Sequence, residues 1–245
     1  MSSTSHSTPL VSLDAVVVDT ETTGLDSRTA RIVQVGALRI AGIRIAGGAA
    51  FEQILDPGIP MPPAAAAVHG LNDEHVRGKP KFAEIWPDLE AFLGRSIIIG
   101  HTIAFDIGMM RKEVELAGKV WRQPRALDIR GLARVAAPTL ANYELSRLAE
   151  WLGIEIVGRH TAMGDAEATA KIYAALVPLL RARNVRTLAE AEKACRLLQE
   201  QEARAAGGLM AEVGGPVVGI EATKPLARLD SFPFRHRVED VMSAP

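Results

Sequence analysis

With Cys195 as its only cysteine, the chain can form no internal disulfide and cannot build a cysteine-based zinc site. The helical pattern around Cys195 suits a packed thiol rather than a nucleophile. An excess of one charge is also missing: 28 Lys and Arg face 29 Asp and Glu, for a formal net charge of −1. The surface as a whole therefore does not advertise a polyanion binder, and phosphate contacts must come from local clusters. Arg122, Arg125, Arg130, Arg134, Arg147 and Arg159 are scattered through the second half, each by itself an ordinary solvated residue. No apolar run approaches the roughly 20 residues that span a bilayer, which argues against a membrane partner. The opening Met1-Ser2-Ser3-Thr4-Ser5-His6-Ser7-Thr8-Pro9 lacks the basic and apolar regions of a signal peptide, and residues 1–12 read as a disordered lead-in. The expectation is a cytoplasmic protein.

What is present is enough for one sizeable α/β domain and an extension: 245 residues, 48% of them hydrophobic. Ala15 to Asp19 reads as a buried first strand. Arg31 to Ile40 and Ile43 to Leu55 read as two longer strands around a tight Ala41-Gly42 connection, a hairpin signal. Short helical pieces are predicted at Ala64 to Val68 and Asp73 to Val76, and a clearer helix from Phe82 to Leu93. Ser96 to Gly100 is a short apolar strand, followed by a helix from Phe105 to Ala117 and a last strand near Arg125 to Asp128. Further helices are predicted at Ile129 to Ala136, Glu144 to Leu152 and Gly164 to Leu180. A hairpin followed by alternating strands and helices implies a central mixed five-stranded sheet flanked by helices.

Three segments carry chemistry. In Val16-Val17-Val18-Asp19-Thr20-Glu21-Thr22-Thr23-Gly24-Leu25, an apolar strand breaks into two acids spaced two apart, so Asp19 and Glu21 share a face. Two such carboxylates repel, and a hard divalent cation such as Mg²⁺ or Mn²⁺ between them relieves the repulsion. Taken alone, the pattern also fits a strand running out into a solvated acidic turn. In Ile97-Ile98-Ile99-Gly100-His101-Thr102-Ile103-Ala104-Phe105-Asp106, Asp106 falls near a helix start, where it is either a cap or a site residue. In Gly158-Arg159-His160-Thr161-Ala162-Met163-Gly164-Asp165-Ala166, a histidine precedes a helix that carries an aspartate, with small residues between them.

In order, spacing and flanking residues, the three segments together resemble the DEDDh family of 3′→5′ exonucleases, the group that includes polymerase proofreading subunits and RNase T. The likeness runs over about residues 13 to 182 and takes in Val68-His69-Gly70-Leu71. It implies an RNase H-like fold. Asp19 and Glu21 match the first family motif, Asp106 the second, and His160 with Asp165 the third. The resemblance implies that Asp19, Glu21, Asp106 and Asp165 hold two divalent metal ions, Mg²⁺ or Mn²⁺. It also implies that His160 acts as general base in the hydrolysis of a terminal phosphodiester, a role that suits the side chain titrating nearest neutral pH. By the same carry-over, Thr22, Thr23, Gly24 and Leu25 approach the terminal nucleotide, with Leu25 against its base. His101 and Phe105 line the strand path, although Phe105 serves equally as core packing.

The implied substrate is the 3′ end of single-stranded DNA or RNA, and the implied product a 5′-nucleotide. Two other readings stand beside it: a polymerase proofreading subunit, and a catalytically idle nucleic-acid or nucleotide-binding module of a regulatory protein. Residues 183 to 233 read as a solvated helical linker from Leu188 to Ala206, then a glycine-rich break beginning at Gly207-Gly208. Residues 234 to 245, with Val238-Glu239-Asp240-Val241-Met242-Ser243, resemble the opening of a CBS domain, which implies a longer natural chain.

Overall fold

The computed structural model describes residues 5–212. Its centre is one sheet in the order β3-β2-β1-β4-β5. Strand β1 is Asp14–Thr22, β2 Ile32–Ala41, β3 Arg44–Ile54, β4 Ile97–Gly100 and β5 Ala126–Asp128. The first three pair antiparallel, and their hairpin closes at Ala41↔Arg44, so the tight connection is Gly42-Ile43, one residue beyond the expected position. β4 and β5 add in parallel, each reached through helical crossovers. The mixed five-stranded sheet is thus the one the residue pattern implied.

The helices are α1 Pro63–His69, α2 Asp73–Val76, α3 Phe82–Leu93, α4 Ala104–Leu116, α5 Ile129–Ala136, α6 Leu145–Leu152, α7 Ala162–Ala182 and α8 Leu188–Glu212. They form a layer on each face of the sheet. Alternation along β1 decides which residue meets which layer. Ala15 and Val17 join Leu38, Ile97, Ile99 and residues of α5, α6 and α7 in one core cluster. Val16 and Val18 join Val35, Ile98 and residues of α3 and α4 in the other. Branched valines, stiff at χ1 and suited to a pleated surface, fill both faces of this central strand.

Helix α7 lies close to the sheet because its buried positions include Ala162, Gly164, Ala166, Ala168 and Ala170. At Gly36 on β2 a Cβ would stand 2.3 Å from the Ala162 carbonyl carbon, so only glycine lets the first turn of α7 rest there. Gly36 is the β2 partner of Asp19.

Two stretches differ from expectation. Residues 5–12, expected to be disordered, dock by backbone bonds onto the turn before α8. Leu10 N–H donates to Arg186 O (2.8 Å), Leu188 N–H to Thr8 O (2.9 Å) and the Tyr173 hydroxyl to Leu10 O (2.9 Å). Leu10 is 1% exposed. The polar composition of the lead-in concealed this order, because its partners lie at the other end of the chain. Nor is α8 a solvated linker at its start: Leu188 and Ala191 are buried in the core, and Glu192 pairs with Arg125 through two 3.0 Å bonds. The helix also runs across Gly207-Gly208 to Glu212, where a break was expected. Single glycines weaken a helix by only about 1 kcal/mol each, which a long helix tolerates. The CBS-like segment at 234–245 lies outside the described residues.

Replacing Gly36 by Ala should force the start of α7 off β2 and lower the unfolding free energy by about 1–3 kcal/mol in urea titrations. Gly47→Ala, at a position where a Cβ meets nothing within 4 Å, should leave the midpoint nearly unchanged.

Candidate active site

Asp19 and Glu21 continue the Ala15 and Val17 side of β1, which faces α7. Near the N-terminus of α7, Asp165 comes down onto them: ligand oxygens of Asp19, Glu21 and Asp165 all lie within 4.8 Å of one another. Thr20, between the two acids, points to the opposite layer and meets Asp106. This happens because the pairing of β1 with β4 ends at Val17↔Ile99, leaving the Thr20 N–H without a strand partner. Asp106 Oδ1 takes that N–H at 2.9 Å and the Thr20 hydroxyl at 2.7 Å. Asp106 is therefore held beside Asp19 but outside the tight trio.

The loop before α7 is shaped by close approaches. A Cβ on Gly164 would stand 2.1 Å from the Gly158 carbonyl oxygen, so the turn presses directly on the first helical turn. Thr161 caps α7 by accepting the Gly164 N–H at 3.1 Å, while its own hydroxyl donates to Gly158 O at 2.7 Å. His160 adopts a left-handed φ of 64° in this turn and is half-buried beside Asp165. Ala162 N–H donates to Gln34 Oε1 at 3.1 Å, a further tie between α7 and β2.

The electrostatics are those of crowded anions. Burial raises the Asp19 carboxyl well above the usual range, helped by the charges of Asp106, Asp165 and Glu21 and opposed by Arg159. Burial and then Asp165 push Glu21 up to about 7. Burial likewise pushes Asp106 up to about 7 against its hydrogen bonds from Thr20. Asp165 is raised by burial, with Arg159 and His160 pulling the other way. Arg159, which looked like a surface residue in the sequence, donates to Asp165 Oδ2 and to Ser146 Oγ (3.2 Å). The second oxygen of the same carboxylate, Oδ1, is buried with no hydrogen-bond partner. An unpartnered buried carboxylate oxygen next to two more carboxylates is what a hard divalent cation would satisfy, so the residues present fit the expected ions.

The residues expected on the nucleotide side fall in three places. Thr22 and Thr23 are buried and locally bonded, Thr22 Oγ1 donating to Gly24 O (2.7 Å) and Thr23 Oγ1 accepting the Arg31 N–H (2.9 Å). Leu25, next to Gly24, is 89% exposed. His101 is half-buried with Nε2 at 2.8 Å from Tyr143 O, and Phe105 packs against the core cluster under α3 and α4. His69, buried at the end of α1, accepts the Leu71 N–H on Nδ1 (3.1 Å), and its Nε2, near the Thr22 backbone, makes no hydrogen bond. Sequence reasoning missed Thr20, Gln34, Gly36 and Arg159. A hydroxyl between two acids was the one visible hint, and the others depend on long-range approach.

Cys195 is half-buried against Gly131, and burial, then Asp128, pushes its thiol up to about 11, as expected of a packed rather than reactive cysteine. Among the described residues no helix is long and apolar enough to cross a membrane.

A family model described as RNase_T, exonuclease, matches residues 16–173. A DNA polymerase III subunit epsilon-like protein of Rhodobacter capsulatus is 37% identical over 203 residues, covering 80% of this chain and 29% of that protein. The DNA polymerase III subunit epsilon of Aquifex aeolicus is 32% identical over 159 residues, covering 64% of this chain and 77% of its own. This chain thus spans less than a third of the first relative and about three quarters of the second. Among solved structures, Escherichia coli exonuclease I in complex with a dA16 oligonucleotide superposes with a TM-score of 0.60 at 20% identity. That match covers 81% of this chain and 45% of the other, and it shows a shared fold.

An acid whose folded pKa is raised binds protons that the unfolded chain has already released. Stability from these groups is therefore fully present below the unfolded value of roughly 4 and falls as pH rises toward about 7. In EDTA, the wild-type melting temperature should exceed that of Asp19→Asn by less, or fall further below it, at pH 8 than at pH 5. Mg²⁺ or Mn²⁺ should stabilise the wild type more at pH 8. A pH-independent difference between the two proteins would show that the carboxylates do not repel as described.

Proposed function

Because the chain belongs to the RNase_T exonuclease family, we propose that it is a metal-dependent 3′→5′ exonuclease acting on single-stranded DNA or RNA ends and releasing 5′-nucleoside monophosphates. The activity is assigned to residues 13–182. The observation that carries this reading is the cluster of Asp19, Glu21 and Asp165 within 4.8 Å, with one buried carboxylate oxygen unpartnered.

Asp19, Glu21 and Asp165, with Asp106 beside them, would hold two divalent ions, Mg²⁺ or Mn²⁺. Ions bound there supply Lewis-acid stabilisation of the phosphoryl oxygens and ease deprotonation of the attacking water. His160, beside Asp165, takes the proton from that water through a ring nitrogen. A bond forms between the water oxygen and the terminal phosphorus, the bond from phosphorus to the 3′ oxygen of the preceding nucleotide breaks, and that oxygen takes a proton from solvent, to which His160 returns the one it removed. Leu25 covers the terminal base, the Thr22 to Gly24 backbone borders its sugar, and His101 flanks the strand.

A second reading, a polymerase proofreading subunit, is favoured by the likeness to two epsilon-type proteins. It retains the same chemistry and adds a polymerase partner, so faster removal of a mismatched terminus in the presence of a bacterial replicative polymerase would select it.

Matched 3′-labelled and 5′-labelled single-stranded DNA and RNA oligonucleotides should shorten stepwise from the 3′ end with Mg²⁺ or Mn²⁺ and remain intact in EDTA. Asp19→Ala should abolish cleavage while keeping the protein folded. His160→Ala should lower kcat by roughly 10²–10⁴-fold with metal affinity unchanged by calorimetry. Absence of cleavage by folded wild-type protein in every metal would instead support an idle binding module.

A further inference from the structure

Between β1 and β2 the chain makes a loop, Thr23 to Arg31, whose exposed apolar residue is Leu25 at 89% exposure. Its base is closed by two bonds between the same residues, Thr23 N–H to Arg31 O (2.9 Å) and Arg31 N–H to Thr23 Oγ1 (2.9 Å). Its return limb turns on Asp26, whose carbonyl accepts the Thr29 and Ala30 N–H groups at 3.0 and 2.8 Å. These local bonds shape the loop but do not attach it to the body of the protein.

Attachment comes from α4. Arg31 donates through Nε and Nη2 to the two oxygens of Glu113, at 2.7 and 2.8 Å. The Glu113 side chain is 2% exposed and also accepts the Ile32 N–H at 3.3 Å. Lys112 reaches the Ala30 carbonyl at 2.6 Å. A buried carboxylate is costly to place unless paired and hydrogen-bonded, and a planar guanidinium meeting it with two parallel bonds fixes direction as well as distance. Glu113 is also seven positions, about two turns, from Asp106 on the same helix, so one rigid rod joins the loop to the acidic site.

On the exonuclease reading given above, we infer that the Arg31–Glu113 pair is a positioning device that makes the Leu25 loop a fixed wedge selecting unpaired 3′ termini. For Leu25 to enter behind the terminal base, that base must leave its stack and, at a paired end, its partner, which costs least at a single-stranded or mismatched end. A loop locked in place enforces that cost. A loosened loop gives way, admits paired ends, and must be ordered again on each binding event.

The test uses the full chain carrying Arg31→Met with Glu113→Leu, an apolar pair of similar volume that leaves no buried charge behind, alongside the milder Arg31→Lys. Calorimetry with Mn²⁺ should show unchanged metal affinity, and kcat on a single-stranded oligonucleotide should stay within about twofold. The KM for that strand should rise about tenfold in the double variant. The ratio of single-strand to blunt-duplex turnover should fall about tenfold, with Arg31→Lys between the two. Hydrogen exchange at the Thr23 amide should accelerate. If the double variant is folded and active but keeps the wild-type KM and strand selectivity, the wedge is refuted while the exonuclease reading stands. If the double variant does not fold, Arg31→Lys alone decides on the same two ratios. A wild-type protein that neither cleaves nor binds single strands overturns both.

Discussion

Holding three carboxylates within 4.8 Å of one another is unfavourable, and the architecture around them can be understood as what offsets that repulsion. Two of the acids extend a strand whose preceding residues, Ala15 to Val18, are buried on both faces. The third rides on α7, whose small residues and whose contact over Gly36 press it to the sheet. Apolar packing on this scale can carry the electrostatic cost, as it carries the entropy of folding. The raised proton affinities of Asp19, Glu21, Asp106 and Asp165 record that cost. Arg159 relieves part of it from one side of Asp165, and the bare Oδ1 on the other side is an oxygen that a further cation would satisfy.

Alternation along β1 distributes the work. Asp19 and Glu21 face α7, while Thr20 faces α4 and holds Asp106 there with two bonds to one oxygen. Helix α4 then serves at both ends, with Asp106 in its first turn and Glu113 two turns later against the loop that carries Leu25. Shortness of β4 is part of the same design, because a longer strand would have claimed the Thr20 N–H that Asp106 uses. The acidic cluster and the Leu25 loop are thereby referred to one rigid element, which is what positional precision at a site requires.

Much of this was legible in the linear chain, for reasons that differ by residue. Strand and helix periods made α2, α3 and α5 readable to their end residues, since each is amphipathic and bounded by a turn or cap. The D-x-E of β1 was readable because period two is a property of the strand itself. Leu10 and the start of α8 were misjudged because their order comes from each other, across the length of the chain. Arg159 was indistinguishable from five other arginines until α7 brought Asp165 under it. Phe105, left open between strand path and core, is seen packed against the core cluster, where the α4 helix turns its ring inward.

The sequence by itself determined the class of fold, the identity of the acidic and histidine residues, and the family to which their order belongs, because strand alternation and residue spacing are local properties. Only the tertiary structure decided that Asp165 joins Asp19 and Glu21 while Asp106 is held apart by Thr20, and that Glu113 anchors the loop of Leu25. Those relations arise from packing between segments distant in the chain, where the loss of a strand neighbour or the absence of one Cβ decides which groups can meet.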